Sequence, residues 1–274
     1  MTRDRATNTE HTSEPPVVLK LGGSLITEKD RPETLDGPAL DAACDAIAAA
    51  HSDGAVERLV IVHGGGSFGH HHASEHGVST TTGTHDAGAV MDIHGAMTTL
   101  NQFVLSRLHT RDVPAVPVHP LSVAARPDGP TGELDLPCSA TATLLAEGFV
   151  PVLHGDGVAT AGEGVTVVSG DELVTELATQ LSARRVGVCS TVPGVLDSTS
   201  GAGRVIPSID SFEAVADVLG ASDATDVSGG MAGKVQELLA LDAPAYVFGA
   251  DELSSFLRGS DPGTRIGVDT PPTE

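Results

Sequence analysis

Short apolar runs alternate along this chain with stretches whose apolar side chains recur every three or four residues. Val17-Val18-Leu19-Lys20-Leu21, Leu59-Val60-Ile61-Val62, Val150-Pro151-Val152-Leu153, Arg185 to Cys189 and Ala245 to Phe248 are brief and rich in β-branched residues. Such runs suit strands buried on both faces. Val116-Pro117-Val118 and Thr264 to Val268 add shorter strands, and 157–168 reads as short strands with Gly turns. Helical spacing covers 36–51 (Leu40, Ala43, Ile47) and 86–109 (Val90, Ile93, Met97, Leu100, Val104, Leu108). It returns over 139–147, Asp171 to Leu181, 210–219 and 230–241, with a short helix near 251–257. Asp36 is a candidate N-cap of the first helix, and Ser169 or Asp171 of the helix beginning near 170.

Strands alternating with helices predict an α/β fold with a largely parallel sheet. Ligands of such sheets sit at the carboxyl ends of strands. Three strands here run into Gly-rich polar loops, at 22–24, 64–69 and 155–156. The chain of 274 residues shows no repeat and no interdomain linker. Residues 1–15 are polar and expected to be disordered, and MTRDRATNTEHTSEPP has no apolar stretch of the kind a secretory signal needs.

Charge narrows the function. There are 37 Asp+Glu against 15 Lys+Arg, a net charge of −22, which disfavours nucleic acid and anionic membranes as partners. No apolar run approaches the ~18 residues of a membrane span. Cys44, Cys138 and Cys189 are far apart and form neither a disulfide framework nor a CxxC pair, which suits a reducing cytoplasm. Only three of the 15 basic residues are Lys: Lys20, Lys29 and Lys234. An acidic surface with scarce Lys is expected of a protein kept soluble in concentrated salt, so a halophilic, archaeal source is expected. All three lysines lie in or beside Gly-rich segments.

Each motif has a functional and a plainer reading. Gly64-Gly65-Gly66-Ser67-Phe68-Gly69 formally fits a dinucleotide fingerprint, but the residues before the acidic candidate Asp86 do not read as a strand. Gly229-Gly230-Met231-Ala232-Gly233-Lys234 is not a Walker A loop, because Ser228 and Val235 stand where Gly and Ser or Thr are needed. Both stretches still offer unhindered N–H groups that favour phosphate. Lys20 is either an edge-strand Lys reaching solvent or a cation at a phosphate-cradling loop. Lys29 alone reads as a surface Lys. His70, His71, His72 and His76 cluster in sequence, as polar surface at a helix start or with one His donating to an anionic substrate. No metal ligand set is assigned: adjacent histidines rarely point at one ion, and no carboxylate or Cys pair completes a tetrahedral set. Asp156 and Asp171, each after a Gly, are turn or cap residues or part of a site.

Taken in order, the segments Val18 to Lys29, His63-Gly64-Gly65-Gly66-Ser67-Phe68-Gly69-His70, Leu153-His154-Gly155-Asp156, Ser169-Gly170-Asp171, Val192-Pro193-Gly194-Val195 and Asp226 to Lys234 resemble the amino acid kinase superfamily. The His ending the second segment narrows the resemblance to the isopentenyl phosphate kinase family; kinases acting on fosfomycin look similar. The resemblance implies a three-layer αβα sandwich over 16–268. It divides into an acceptor-binding half of about 16–160 and a nucleotide-binding half of about 161–268, with a tail at 269–274. It further implies ATP and Mg²⁺ as cofactors, a homodimer, and transfer of the ATP γ-phosphoryl group to isopentenyl phosphate in isoprenoid biosynthesis. By position, Lys20, Gly22, Gly23 and Ser24 would face the ATP phosphates, with Gly66, Gly230 and Lys234 on the nucleotide side. Lys29 would stabilise the transferring phosphoryl group. Gly65, His70 and Gly155 would hold the acceptor, with Asp156 a weaker candidate, and Asp171 would orient the lysines. The turn at Val192 to Val195 departs from the Asp-Gly-Val-Tyr common in the family.

The chemistry is consistent with a phosphate acceptor. A phosphate monoester is already an anionic nucleophile near neutrality, so no general base is needed. The difficulty is bringing two anions together, which calls for cations and N–H donors. Val90, Ile93, Met97 and Leu100 either flank an apolar acceptor tail or pack the core. A kinase for another small acid such as fosfomycin, and a non-catalytic nucleotide- or oxyanion-binding protein, are the competing expectations.

Overall fold

The computed structural model describes residues 14–197, 203–219 and 230–267. In chain order the first elements are β1 (Val17–Leu21), α1 (Gly23–Ile26), α2 (Gly37–Ser52), β2 (Leu59–His63), α3 (Gly66–Glu75), α4 (Ala87–His109), β3 (Ala115–Pro117), α5 (Pro120–Val123) and β4 (Ala125–Arg126). Then come α6 (Ser139–Ala146), β5 (Val150–His154), β6 (Asp156–Thr160), β7 (Gly164–Val168), α7 (Gly170–Gln180) and β8 (Arg185–Ser190). The last are β9 (Ser208–Ile209), α8 (Ala216–Leu219), α9 (Gly230–Leu239), β10 (Ala245–Gly249), α10 (Leu253–Leu257) and β11 (Thr264–Ile266).

Among the described residues the main sheet has the order β3-β5-β2-β1-β8-β10-β11-β9, and β4-β6-β7 form a second, smaller sheet. All pairings in the main sheet are parallel except β10 with β11. Side-chain alternation divides the core into two layers. Leu19 and Leu21 of β1, Ile61 of β2 and Val152 of β5 pack with α2, α4 and α10. Val18, Val60, Val62, Val186 and Val188 pack with α6, α7 and α9. Sheet strands buried on both faces need helices on both sides, which gives the expected αβα sandwich.

The sequence elements recur with local differences. Asp36 caps α2 through the Ala39 N–H, and Ser169 rather than Asp171 caps α7 through the Glu172 N–H. The helix expected over 210–219 is broken. A 3-10 turn spans Phe212–Ala214, then buried Val215 leaves helical geometry (φ −126°, ψ 0°) before α8. Asp86 is the N-cap of α4, its Oδ1 accepting the Gly88 N–H at 2.8 Å. A dinucleotide fingerprint would need it at the end of a strand, so that reading fails. The three cysteines are free and buried. No helix among the described residues is long and apolar enough to cross a membrane. Residues 1–13, the Asp226–Gly229 part of the closing motif, Val268 and the tail at 269–274 lie outside the described residues.

Candidate active site

Because β1, β2, β5 and β8 are parallel, the Gly-rich loops following β1, β2 and β5 emerge at one edge of the sheet. From β1 the chain moves outward to β2 on one side and later returns to place β8 on the other. This reversal of strand order opens a crevice at the carboxyl end of β1.

Two glycine turns meet there backbone to backbone. A Cβ on Gly23 would lie 2.2 Å from the Gly66 nitrogen, and one on Gly64 would lie 2.7 Å from the Gly23 nitrogen. No other residue type permits this approach. Gly66 has φ +49°, and a Cβ there would also strike the Thr27 hydroxyl. Helices α1 and α3 start at Gly23 and Gly66, so the N-termini of both converge. The Thr27 hydroxyl fastens the junction, donating to the Gly23 carbonyl (2.8 Å) and accepting from the Ser67 N–H (3.0 Å).

Lys20 is not an edge-strand residue. It lies in a central strand, is 7% exposed and pairs with Asp171 at 2.6 Å. Alternation points Lys20 to the same face as Val18, where α7 supplies Asp171 and α9 supplies Lys234. Lys234 Nζ lies 3.7 Å from the same Asp171 oxygen. Burial lowers the Lys20 pKa, with Asp171 opposing that fall. Burial alone would raise Asp171, but Lys20 and Lys234 outweigh it and hold the carboxyl below its ordinary value. A carboxylate shared by two ammonium groups therefore sits beside the glycine junction. A Cβ on Gly170 would lie 3.2 Å from Lys20 Cε, so the start of α7 must be bare for this Lys to pass. Next along α7, Glu172 holds buried Arg126 of β4.

Gly155 approaches this assembly too: a Cβ there would lie 3.6 Å from the Gly170 nitrogen and 3.9 Å from the Gly65 nitrogen. The sheet thus gathers Lys20, Gly22, Gly23, Gly64, Gly65, Gly66, Gly155, Asp171 and Lys234. Ser24 is exposed in α1, and Gly230 opens α9 with φ +61°. Lys29 is exposed in the 28–35 loop, which is bound to α3 by Glu33 N–H to Ser67 O (3.2 Å) and Thr34 N–H to Ser67 Oγ (3.3 Å). His70 is exposed on α3. Ile93, Met97 and Leu100 are core residues, each at most 3% exposed, and only Val90 of that set is half-buried.

Beneath the acceptor-side glycines lies a buried polar layer that sequence reading did not assemble. His63 and His154 end β2 and β5 in register, their rings stacked 5.5 Å apart. Each lies within hydrogen-bonding distance of the carbonyl of the next residue through Nδ1: His63 to Gly64 at 3.1 Å, His154 to Gly155 at 2.9 Å. Burial pushes the His63 pKa down to about 4, and His154 falls well below its ordinary value for the same first reason. Both rings are therefore neutral, with Nδ1 the donor. The other His154 nitrogen then accepts from His119 Nδ1 (2.9 Å), and the corresponding His63 nitrogen faces the Asn101 amide of α4 (3.3 Å). With the His63 proton on Nδ1, the satisfying rotamer of Asn101 turns its N–H to that ring. His94 of α4 binds Asp156 at 2.9 Å, and burial raises the Asp156 pKa despite this partner. Alternation was the available signal. His63 and His154 share the parity of Ile61 and Val152, which face α4.

The profile of the amino acid kinase family matches residues 15–241. The chain belongs to the amino acid kinase family. It is 59% identical over 250 residues to isopentenyl phosphate kinase of Haloferax volcanii, covering 91% of this chain and 98% of that relative. It is 33% identical to isopentenyl phosphate kinase of Methanothermobacter thermautotrophicus, over 82% and 86% of the two chains. An X-ray structure of isopentenyl phosphate kinase superposes with a TM-score of 0.77 at 27% identity, over 91% of this chain and 99% of the other.

Proposed function

We propose that this kinase transfers the γ-phosphoryl group of ATP to isopentenyl phosphate, giving isopentenyl diphosphate and ADP. What carries the reading is the meeting of the Gly22–Ser24 and Gly64–Gly66 turns beside Lys20, in a chain close to an isopentenyl phosphate kinase along nearly its whole length. Two bare helix starts facing one another suit two phosphate groups that must approach each other.

In this mechanism an anionic oxygen of the acceptor phosphate attacks the γ-phosphorus. An O–P bond forms, the bond to the β-phosphate oxygen breaks, and ADP leaves with that electron pair. The nucleophile carries no proton to remove, so no base is required. Lys20, the N–H groups of Gly22 and Gly23, and Ser24 hold the ATP phosphates, with Gly66, Gly230 and Lys234 on the nucleotide side. Asp171 contacts Lys20 and Lys234 and aims both. Lys29 reaches in from its loop to the transferring group. Gly65, His70 and Gly155 hold the acceptor phosphate. Mg²⁺ bound to the ATP phosphates would offset part of their charge. The cations and N–H groups at the junction fit such a complex, since the carboxylate that contacts them, Asp171, is committed to the two lysines. The two halves of the domain, about 16–160 and 161–268, supply acceptor and nucleotide sides respectively, and the enzyme works as a cytoplasmic homodimer.

The test is ADP release in molar KCl with MgATP and isopentenyl phosphate, dimethylallyl phosphate, fosfomycin or glutamate. Turnover with the isoprenoid phosphates alone supports the proposal. Turnover only with fosfomycin or glutamate discards the acceptor assignment, and none with any acceptor discards the kinase reading. Light scattering on the eluted protein tests the dimer.

A further inference from the structure

The histidines following the Gly64–Gly69 turn are not all directed to one place. At about 100° per residue, His72, Glu75 and His76 share one side of α3, and His70 stands on the other. One potential ligand atom of each of His72, Glu75 and His76 lies within 4.8 Å of the other two. The sequence alone offers no metal set, because neighbouring histidines diverge and no carboxylate completes one. The helix answers both points: the pair is His72 and His76, one turn apart, and Glu75 is the carboxylate.

The outer partners of these rings point the same way. His72 Nε2 lies 2.8 Å from Glu33 Oε1 in the 28–35 loop, and His76 Nε2 lies 3.0 Å from Asp92 Oδ2 on α4. A metal-bound imidazole characteristically gives its remote N–H to a carboxylate, which fixes the tautomer and raises the basicity of the ligating nitrogen. Here both rings have that partner, from two different elements. His72 Nδ1, the nitrogen left over, is buried without a hydrogen-bond partner and lies 3.8 Å from Glu75 Oε2.

We propose that His72, Glu75 and His76 form a transition-metal site on α3, with Glu33 and Asp92 as the carboxylates that orient its two imidazoles. Two nitrogens and one carboxylate suit Zn²⁺ better than Mg²⁺ or Ca²⁺, which prefer all-oxygen sets. Water fills the fourth position. Tetrahedral ligands at zinc distances stand about 3.3 Å apart, so small side-chain rotations close the site. Through its outer carboxylates the ion ties α3 to α4 and to the loop carrying Lys29. The site lies on the far side of α3 from His70 and does not depend on the proposed acceptor.

The test uses the full chain, stripped with EDTA and returned to molar KCl. Co²⁺ is titrated while its visible ligand-field absorption is recorded, and Zn²⁺ is then added as competitor. The expected result is one equivalent of tetrahedral Co²⁺ per chain, displaced by Zn²⁺ and unaffected by excess Mg²⁺. His72→Gln and His76→Gln each abolish the band. Asp92→Asn and Glu33→Gln leave the ligands in place and weaken binding about 10–100-fold. His71→Gln, next to the site, binds as the parent does. Circular dichroism confirms that each variant is folded, and the two carboxylate variants serve if a histidine variant is not. No band in the parent protein, a band surviving in the His72→Gln/His76→Gln double variant, or loss of the band in His71→Gln overturns the proposal.

Discussion

His63 and His154 stand opposite one another at the ends of β2 and β5, and each binds the carbonyl of the glycine that follows it. The Gly64 carbonyl shares its peptide plane with the Gly65 N–H, and the Gly155 carbonyl shares one with the Asp156 N–H. Holding the oxygen therefore aims the N–H at the other end of a rigid plane. His154→Phe should keep the ring volume but release its plane. We expect kcat/KM for the acceptor phosphate to fall about 10²-fold, the KM for ATP to stay near the parent value, and stability to drop about 1–3 kcal/mol from the orphaned carbonyl. His154→Asn, whose amide N–H takes the place of Nδ1–H, should recover most of the acceptor constant. Equal losses in both variants would refute the positioning role.

The same layer makes the fold acid-sensitive in a defined window. Burial holds His63 at about 4, against about 6.5 in an unfolded chain. Between those values the unfolded state carries a proton the folded state lacks, so stability falls as pH is lowered through the window. It is fully present above the upper value and lost at the lower one, a change of about 3 kcal/mol for this one group. His154 and His119 shift in the same direction. Asp156, raised by burial, opposes them. Asp171 is held low, so loss of its contribution begins only as pH falls below the window. Urea unfolding across this range should show the fall, with a smaller slope in His63→Asn. An unchanged slope in that variant would exclude His63 as a source.

Asp171 and Lys20 should not be equivalent. Lys20→Met leaves Asp171 paired with Lys234, whereas Asp171→Asn removes the carboxylate that both ammonium groups contact and leaves Glu237 as a more distant counter-charge. Breaking a largely buried pair in that way costs about 3 kcal/mol. Asp171→Asn should therefore unfold at lower denaturant than Lys20→Met, although both lose turnover. MgATP should restore more of the Asp171→Asn loss, because phosphate oxygens supply the missing negative charge. Equal stability of the two variants would mean that Lys234 does not share the carboxylate in solution.

Much of this centre was legible because it is local. A strand ending in Lys20-Leu21-Gly22-Gly23, and a Ser169-Gly170-Asp171 helix start, each announce their geometry within a few residues. The alternation that sends Lys20 toward α7 and α9 is also local. What stayed hidden depends on distant meetings: His94 with Asp156 and His119 with His154 join separate elements, and no spacing encodes them. Two-residue strands such as β4 and β9 have no period to detect. The 210–219 segment has helical spacing, but anchoring Val215 in the core interrupts it.

The glycines divide into two kinds, and substitution should separate them. Gly23→Ala would drive a methyl into the Gly66 backbone, where neither chain has a side chain to move aside. It should abolish activity and destabilise the junction between α1 and α3. Gly95 lies within α4 with open space where its Cβ would stand. Gly95→Ala should stabilise the protein by about 0.5–1 kcal/mol, the usual cost of Gly in a helix interior. Thermal melts of both variants test the close approach; a Gly23→Ala protein as stable and active as the parent would rule it out.

The net charge of −22 sets a last expectation. With the cations at the site drawn close to Asp171, most of the surface remains an acidic field acting against the folded state. Screening length falls from about 10 Å in 0.1 M salt to about 3 Å at 1 M, so carboxylates that repel one another in dilute buffer cease to do so. Stability should therefore rise steeply with KCl and NaCl alike, since screening depends on ionic strength rather than ion identity. A neutral osmolyte at matched osmolality should give a smaller rise, because it leaves the field unscreened. If the melting temperature were the same in dilute and molar KCl, self-repulsion would not limit this fold, and the reading of its acidic, Lys-poor surface as an adaptation to salt would fail.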